Sequence, residues 1–315
     1  MSLRFAVYAV AFVVVLGLAT FLVVLNRPAY RQTATEVVIR QPGDRFLGKP
    51  ESAGIWARED LPFAWLSQEA YNKIPPPKGS PPSPAGCQDP YTALGDAGWK
   101  LWSDFPSQAL QDELTRSHLR VEVWSNVQRS EVVVTFGGTV AKSLPDWEAN
   151  LRWFFPIKDD EYTKLLNEVE PRFVQEFLAR KQQQEYSLLS HASLYSTGHS
   201  LGAGLAEEFA YGLPIDPGVP RVTKVYAFDP TPVTAYTDVP KELRESNRKT
   251  LAIDRIYERG EILAILRSVT NFFDKPRATE PIIRQLRYSL LPRKNPIAGH
   301  SISKFACRLN EISQN

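Results

Sequence analysis

Leu194-Tyr195-Ser196-Thr197-Gly198-His199-Ser200-Leu201-Gly202-Ala203-Gly204-Leu205-Ala206 changes its periodicity halfway along. Leu194 to Thr197 reads as a brief strand. Ser200 to Tyr211, rich in small residues at its start, reads as a helix. The joint between them, Gly198-His199-Ser200-Leu201-Gly202, matches G-x-S-x-G, in which a serine sits on a sharp strand-to-helix turn. Such a turn forces strained dihedrals on the serine, and its glycines let helix and strand approach closely. The hydroxyl then stands at a helix N-terminus, where an oxyanion is favoured. A pentapeptide of this kind arises by chance in many chains. The strand before it and the helix after it are what give it meaning.

Working outward, the alternation of strand and helix continues on both sides. Leu119 to Trp124 alternates with period two, and Glu131-Val132-Val133-Val134-Thr135-Phe136 is a β-branched run of the kind buried on both faces of a parallel sheet. Trp147 to Phe155 and Tyr162 to Lys181 have helical spacing. Val222 to Phe228 is another strand, and Leu251 to Tyr257 closes the strand series. The order predicts an α/β fold, a mostly parallel sheet flanked by helices.

A serine nucleophile needs a base. Of the four histidines, His199 adjoins the serine, so its side chain is expected to point away from the base position. His118 and His191 precede strands and are expected at the opposite edge of the sheet. His300, in Pro296-Ile297-Ala298-Gly299-His300-Ser301, lies in a loop after the last strand and is the expected base. The acid must fall between Ser200 and His300 at a strand end, and either Glu261 or Asp229 can hold the imidazole tautomer. Glu261 is favoured, Asp229 is its rival, and Asp254 reads as a strand residue. The oxyanion donors are expected from the N–H of Leu201 and from Phe136-Gly137-Gly138-Thr139, where Thr139 adds a hydroxyl.

The chain has 315 residues, 37 Lys+Arg against 35 Asp+Glu, and 43% apolar residues, which excludes a mostly disordered protein. A net charge of +2 gives no reason to expect nucleic acid. Phe5 to Leu25 is free of charge and bounded by Arg4 and by Arg27 and Arg31. As a helix it would span about 30 Å, the depth of a bilayer core. Residues 1–26 are therefore read as a single-pass membrane anchor, 27–54 as a tether and 55–315 as the catalytic domain, with a proline-rich excursion at 75–84. Within that domain Leu61 to Lys73 has helical spacing. The cations beside the anchor do not decide its orientation. Cys87 and Cys307 could pair in an oxidising compartment and are also ordinary in a reducing one. The lean is toward an extracytoplasmic domain.

Phe136-Gly137-Gly138-Thr139, Asp146-Trp147 with Asn150-Leu151, and Thr197-Gly198-His199-Ser200-Leu201-Gly202-Ala203 together resemble the class 3 (fungal-type) triacylglycerol lipases, and Leu66-Ser67-Gln68-Glu69-Ala70-Tyr71 looks like the helix that opens that domain. The resemblance spans roughly residues 60–305. It implies an α/β-hydrolase fold, Ser200 as nucleophile, Thr139 at the oxyanion, Glu261 as acid and His300 as base. Three departures stand out: Gly137 replaces an arginine, Glu261 an aspartate, and Ala264 a proline. Phe228-Asp229-Pro230 also replaces Phe-Gly-Ser-Pro. The family often carries a lid where Val140 to Pro156 stands here, with Trp147, Trp153, Phe154 and Phe155. Arg284, Arg287, Arg293 and Lys294 offer a basic surface for anionic head groups, although a scattered basic face is usually just solvated.

These readings converge on a membrane-tethered hydrolase of carboxylic esters, with lipids as the expected substrate. No metal, organic cofactor or obligate protein partner is implied. The alternatives are a non-lipid esterase or thioesterase, and a catalytically idle binding module of the same fold.

Overall fold

The computed structural model describes residues 32–71, 86–138, 161–231, 236–264, 278, 281–291 and 296–314. The apolar segment 5–25, the proline-rich excursion 75–84, Thr139, the stretch Val140 to Pro156, Arg293 and Lys294 lie outside them. Among the described residues, no helix is long and apolar enough to cross a membrane. The chain divides into Met1–Thr33 and Ala34–Asn315, and every element below belongs to the second unit.

Among the described residues nine strands form one sheet: β1 (Glu36–Arg40), β2 (Pro50–Ser52), β3 (Lys100–Leu101), β4 (Arg120–Asn126), β5 (Glu131–Gly137), β6 (Ser193–His199), β7 (Val222–Phe228), β8 (Ala252–Glu258) and β9 (Ile282–Tyr288). Their order is β2-β1-β9-β8-β7-β6-β5-β4-β3. Strands β5 to β9 run parallel, and antiparallel strands flank them on both sides. The helices are α1 (Ala53–Glu69), α2 (Pro90–Asp96), α3 (Gln108–Arg116), α4 (Glu161–Lys164), α5 (Glu170–Arg180), α6 (Leu201–Gly212), α7 (Lys241–Asn247), α8 (Pro296–Gly299) and α9 (Ile302–Ser313). A π turn, Leu165–Val169, joins α4 to α5.

The sheet is buried on both faces, as parallel strands require. In β5, Val132, Val134 and Phe136 face a core shared with Phe173, Phe177 and Phe209 of α5 and α6. Val133 faces the other core, with Leu66 of α1, Phe228, Ile256 and Leu286 of the sheet, and Phe305 and Leu309 of α9. Each such large apolar side chain stabilises the fold by about 1.5–3 kcal/mol. Helix α9 packs on α1, and the Cys87–Cys307 disulfide ties α9 to the segment before α2, with Cα atoms 5.4 Å apart.

Three expectations change. The stretch 27–54 contributes β1, β2 and the start of α1 to the domain rather than serving wholly as a tether. Val37, Val38 and Ile39 are buried between Glu36 and Arg40, and Pro50 sits on the edge strand β2, where no ladder donor is needed. Residues 251–257 do not close the sheet either, because β9 follows and pairs in parallel with β8. Helix α1 also starts at Ala53 rather than Leu61 and runs through Pro62.

Candidate active site

Ser200 lies between β6 and α6 with φ +59°, in the left-handed region that non-glycine residues rarely occupy. That conformation costs about 1–3 kcal/mol and persists only where the surroundings impose it. Here they do. The Ser200 N–H donates to the Phe228 carbonyl at 2.9 Å, and the Ser200 carbonyl accepts from the Thr231 N–H at 3.2 Å. A Cβ on Gly198 would collide with the Gly202 backbone, and one on Gly202 would collide with the Phe136 carbonyl. The two motif glycines therefore permit α6 to sit against β5 and β6. The Ser196 hydroxyl adds a bond across the same contact, donating to the Ala206 carbonyl at 2.8 Å.

His300 follows α8 directly, and α9 begins one residue after Ser301. Its Nδ1 lies 2.7 Å from Glu261 Oε2, and both side chains are buried. The same carboxylate oxygen accepts the Leu263 N–H at 2.8 Å, which fixes its position before the imidazole is added. Glu261 stands three residues beyond β8, after Gly260 at φ +80°. That turn accommodates the longer side chain of glutamate at a position where the resemblance leads one to expect aspartate.

Asp229, the rival acid, ends β7 at φ +41°. Its N–H donates to the Ile256 carbonyl at 2.7 Å, and its Oδ1 accepts the Glu258 N–H at 3.0 Å. Its Oδ2 lies 3.9 Å from His199 Nε2. Asp254, read from the sequence as a strand residue, faces Arg284 across β8 and β9 with bonds of 2.7 and 2.5 Å. It also holds Lys224 at 2.7 Å. Arg284 is thereby paired with Asp254 on the neighbouring strand and stacked over Trp56, only partly exposed, so its charge is not free for head groups.

The other histidines need correcting. His199 does not point away from the base. Its ring centroid is 4.6 Å from that of His300, and its Nδ1 is 2.9 Å from the Tyr71 hydroxyl. His118 is on the same sheet edge as Ser200, because β4 runs antiparallel to β5 and its first residue, Arg120, pairs with Gly137. What separates it from the site is exposure to solvent. His191 precedes β6 at the far edge, as expected, and is also exposed.

Tyr71, just past α1, was legible only as part of the opening helix. Its O–H donates to the His199 carbonyl at 3.1 Å, and burial pushes its ionisation well above the usual tyrosine range, so it stays protonated. Gly137 also has a local reason. A Cβ there would press on the Ala70 carbonyl and on Arg120, whose guanidinium donates to the Tyr71 carbonyl at 3.1 Å. The Leu201 N–H opens α6 beside Ser200, at the positive end of a twelve-residue helix.

Sheet, elbow and buried Glu261–His300 pair define an α/β-hydrolase fold with a candidate serine-nucleophile site. No protein-family model and no curated protein sequence matches the chain. Solved structures do, fungal lipases among them. The triacylglyceride lipase of Rhizomucor miehei is 15% identical, with 74% of this chain and 78% of that one covered and a TM-score of 0.47. Lipase II from Rhizopus niveus is 15% identical over 75% and 79% of the two chains, with a TM-score of 0.44. The lipase from Rhizopus microsporus var. chinensis is 16% identical over 75% and 74%, with a TM-score of 0.44. At such scores the chemistry must be read from this chain's own residues.

Proposed function

We propose that this chain is a membrane-tethered serine hydrolase that cleaves carboxylic esters, with lipids as its substrate class. The observation that carries the reading is the buried Glu261–His300 pair, set against the ring of the residue that precedes a left-handed Ser200. Ser200 Oγ attacks the acyl carbonyl, and His300 Nε2 takes its proton. Glu261 holds the Nδ1–H tautomer and stabilises the imidazolium that forms. The Leu201 N–H and the Thr139 hydroxyl stabilise the oxyanion. His300 returns the proton to the departing alcohol, and water, activated by the same imidazole, releases the acyl group from Ser200.

Residues 5–25 supply the membrane tether in this reading, on the strength of their length and lack of charge. The Cys87–Cys307 disulfide supports a catalytic domain on the oxidising, extracytoplasmic side. The test is a panel of p-nitrophenyl esters of increasing acyl length, given to the full chain with and without a lipid interface. Wild-type protein is expected to hydrolyse them and Ser200→Ala to lose nearly all activity. Equal rates for the two would instead favour an idle binding module. Preference for short acyl groups, indifferent to the interface, would point to a non-lipid esterase.

A further inference from the structure

The proposed base belongs to a second constellation, two of whose members, His199 and Asp229, take no part in the ester hydrolysis described above. His199, Asp229 and His300 are all buried, and one donor atom from each lies within 4.8 Å of the others. We propose that these three side chains form a site for a divalent transition metal, Zn²⁺ by the character of the donors, and that the bound ion blocks hydrolysis by occupying His300 Nε2. The metal site stands on coordination geometry, whereas the blocking rests on the hydrolase reading above.

Two imidazole nitrogens and one carboxylate oxygen are a donor set suited to zinc. Both rings are oriented as metal-ligating histidines are, through a partner on the other nitrogen. Glu261 holds His300 by Nδ1, and the Tyr71 hydroxyl holds His199 by Nδ1. With the Tyr71 proton on the His199 carbonyl, Nδ1 of a neutral His199 carries the ring proton toward the tyrosine oxygen and Nε2 carries the lone pair. That lone-pair nitrogen is the atom 3.9 Å from Asp229 Oδ2. Asp229 is held for the task by its other oxygen, on the Glu258 N–H, and keeps a left-handed backbone. Zinc bonds of about 2.0–2.1 Å place tetrahedral donors about 3.4 Å apart. The His199–Asp229 separation of 3.9 Å must therefore shrink by about half an ångström, and a pair at the 4.8 Å limit by about 1.4 Å, which rotation of the three side chains has to supply.

The experiment uses the full chain freed of metal by a chelator. Zn²⁺ is titrated by calorimetry, Co²⁺ by visible absorption, and hydrolysis of p-nitrophenyl butyrate is followed in parallel. One tightly held Zn²⁺ per chain is expected, with activity lost at the same midpoint and restored by chelation. Ser200→Ala should retain the ion. Asp229→Asn and His199→Gln should each weaken it by about tenfold or more, with thermal melting to establish that each variant folds. Absence of binding at about millimolar Zn²⁺, a midpoint unmoved by both substitutions, or a rate raised by Zn²⁺ would overturn the proposal. Zn²⁺ binding with these dependences in a chain that hydrolyses no ester would leave the metal site standing and remove the hydrolase reading.

Discussion

Two buried carboxylates stand at the ends of neighbouring parallel strands, and the imidazole takes only one of them at Nδ1. Glu261 holds that position through a bond of 2.7 Å, while Asp229 is turned toward the Glu258 N–H and His199. Glu261→Gln should therefore lower kcat about a thousandfold or more, far beyond the effect of Asp229→Asn. Steady-state kinetics on one ester would read the ranking directly, and the reverse order would reassign the acid. Ser200 and His300 could be singled out from a motif and by elimination. The choice between Glu261 and Asp229 could not be closed in that way. Both follow strands, and only the turn at Gly260 with the Leu263 N–H aims one of them at the ring. A third carboxylate makes a different prediction. Burial raises the Asp60 carboxyl from 3.8 to about 8, even though the Tyr288 O–H donates to it at 2.6 Å. Unfolded chains lose this proton near pH 4 and the folded protein keeps it to about pH 8, so stability drains away as pH rises between those limits. Asp60→Asn should remove that slope, which melting curves at about pH 5 and about pH 8 would reveal.

At the scale of elements, the elbow depends on two backbones touching where no side chain fits. Gly202→Ala would drive a methyl group into the Phe136 carbonyl. A loss of about 3 kcal/mol is expected, by analogy with overpacked cores, together with loss of esterase activity. Urea denaturation measures the first and initial rates the second; an active, fully stable variant would mean that β5 and α6 can separate. The strands on either side of this joint were legible because Val-rich runs have no other use in an α/β chain. Strand β9 was not. Ile282-Ile283-Arg284-Gln285-Leu286-Arg287-Tyr288 looks too charged for a parallel strand until Asp254 neutralises Arg284 from the neighbouring strand. Strand β1 was hidden for the opposite reason, its three apolar residues being too few to stand out among the polar ones around them.

For the molecule as a whole, the ends of the described domain brace each other. Strand β1 pairs with β9, α9 packs on α1, the Arg58 guanidinium donates to the Ser313 carbonyl at 3.1 Å, and Cys307 reaches back 220 residues to Cys87. Closing so long a loop stabilises a fold by about 2–5 kcal/mol. Cys307→Ser is expected to lower the melting temperature by that equivalent. Reductant should do the same to the wild type and nothing further to the variant; a wild-type melt unaffected by reductant would show the bridge to be energetically idle. The last quarter of the chain is rich in cations, 15 Lys+Arg against 8 Asp+Glu over residues 241–315, and four of them, Arg284 included, read as a surface for anions. At Arg284 the charge is matched by the carboxylate of Asp254 instead.

The bracing has a temporal side. Ser200 leaves the ribosome about a hundred residues ahead of His300. If Ser200 is the nucleophile and His300 its base, as proposed, a nascent chain carries an unarmed nucleophile until the segment bearing His300 has been made and docked, and folding itself postpones the moment at which the serine can react with anything nearby.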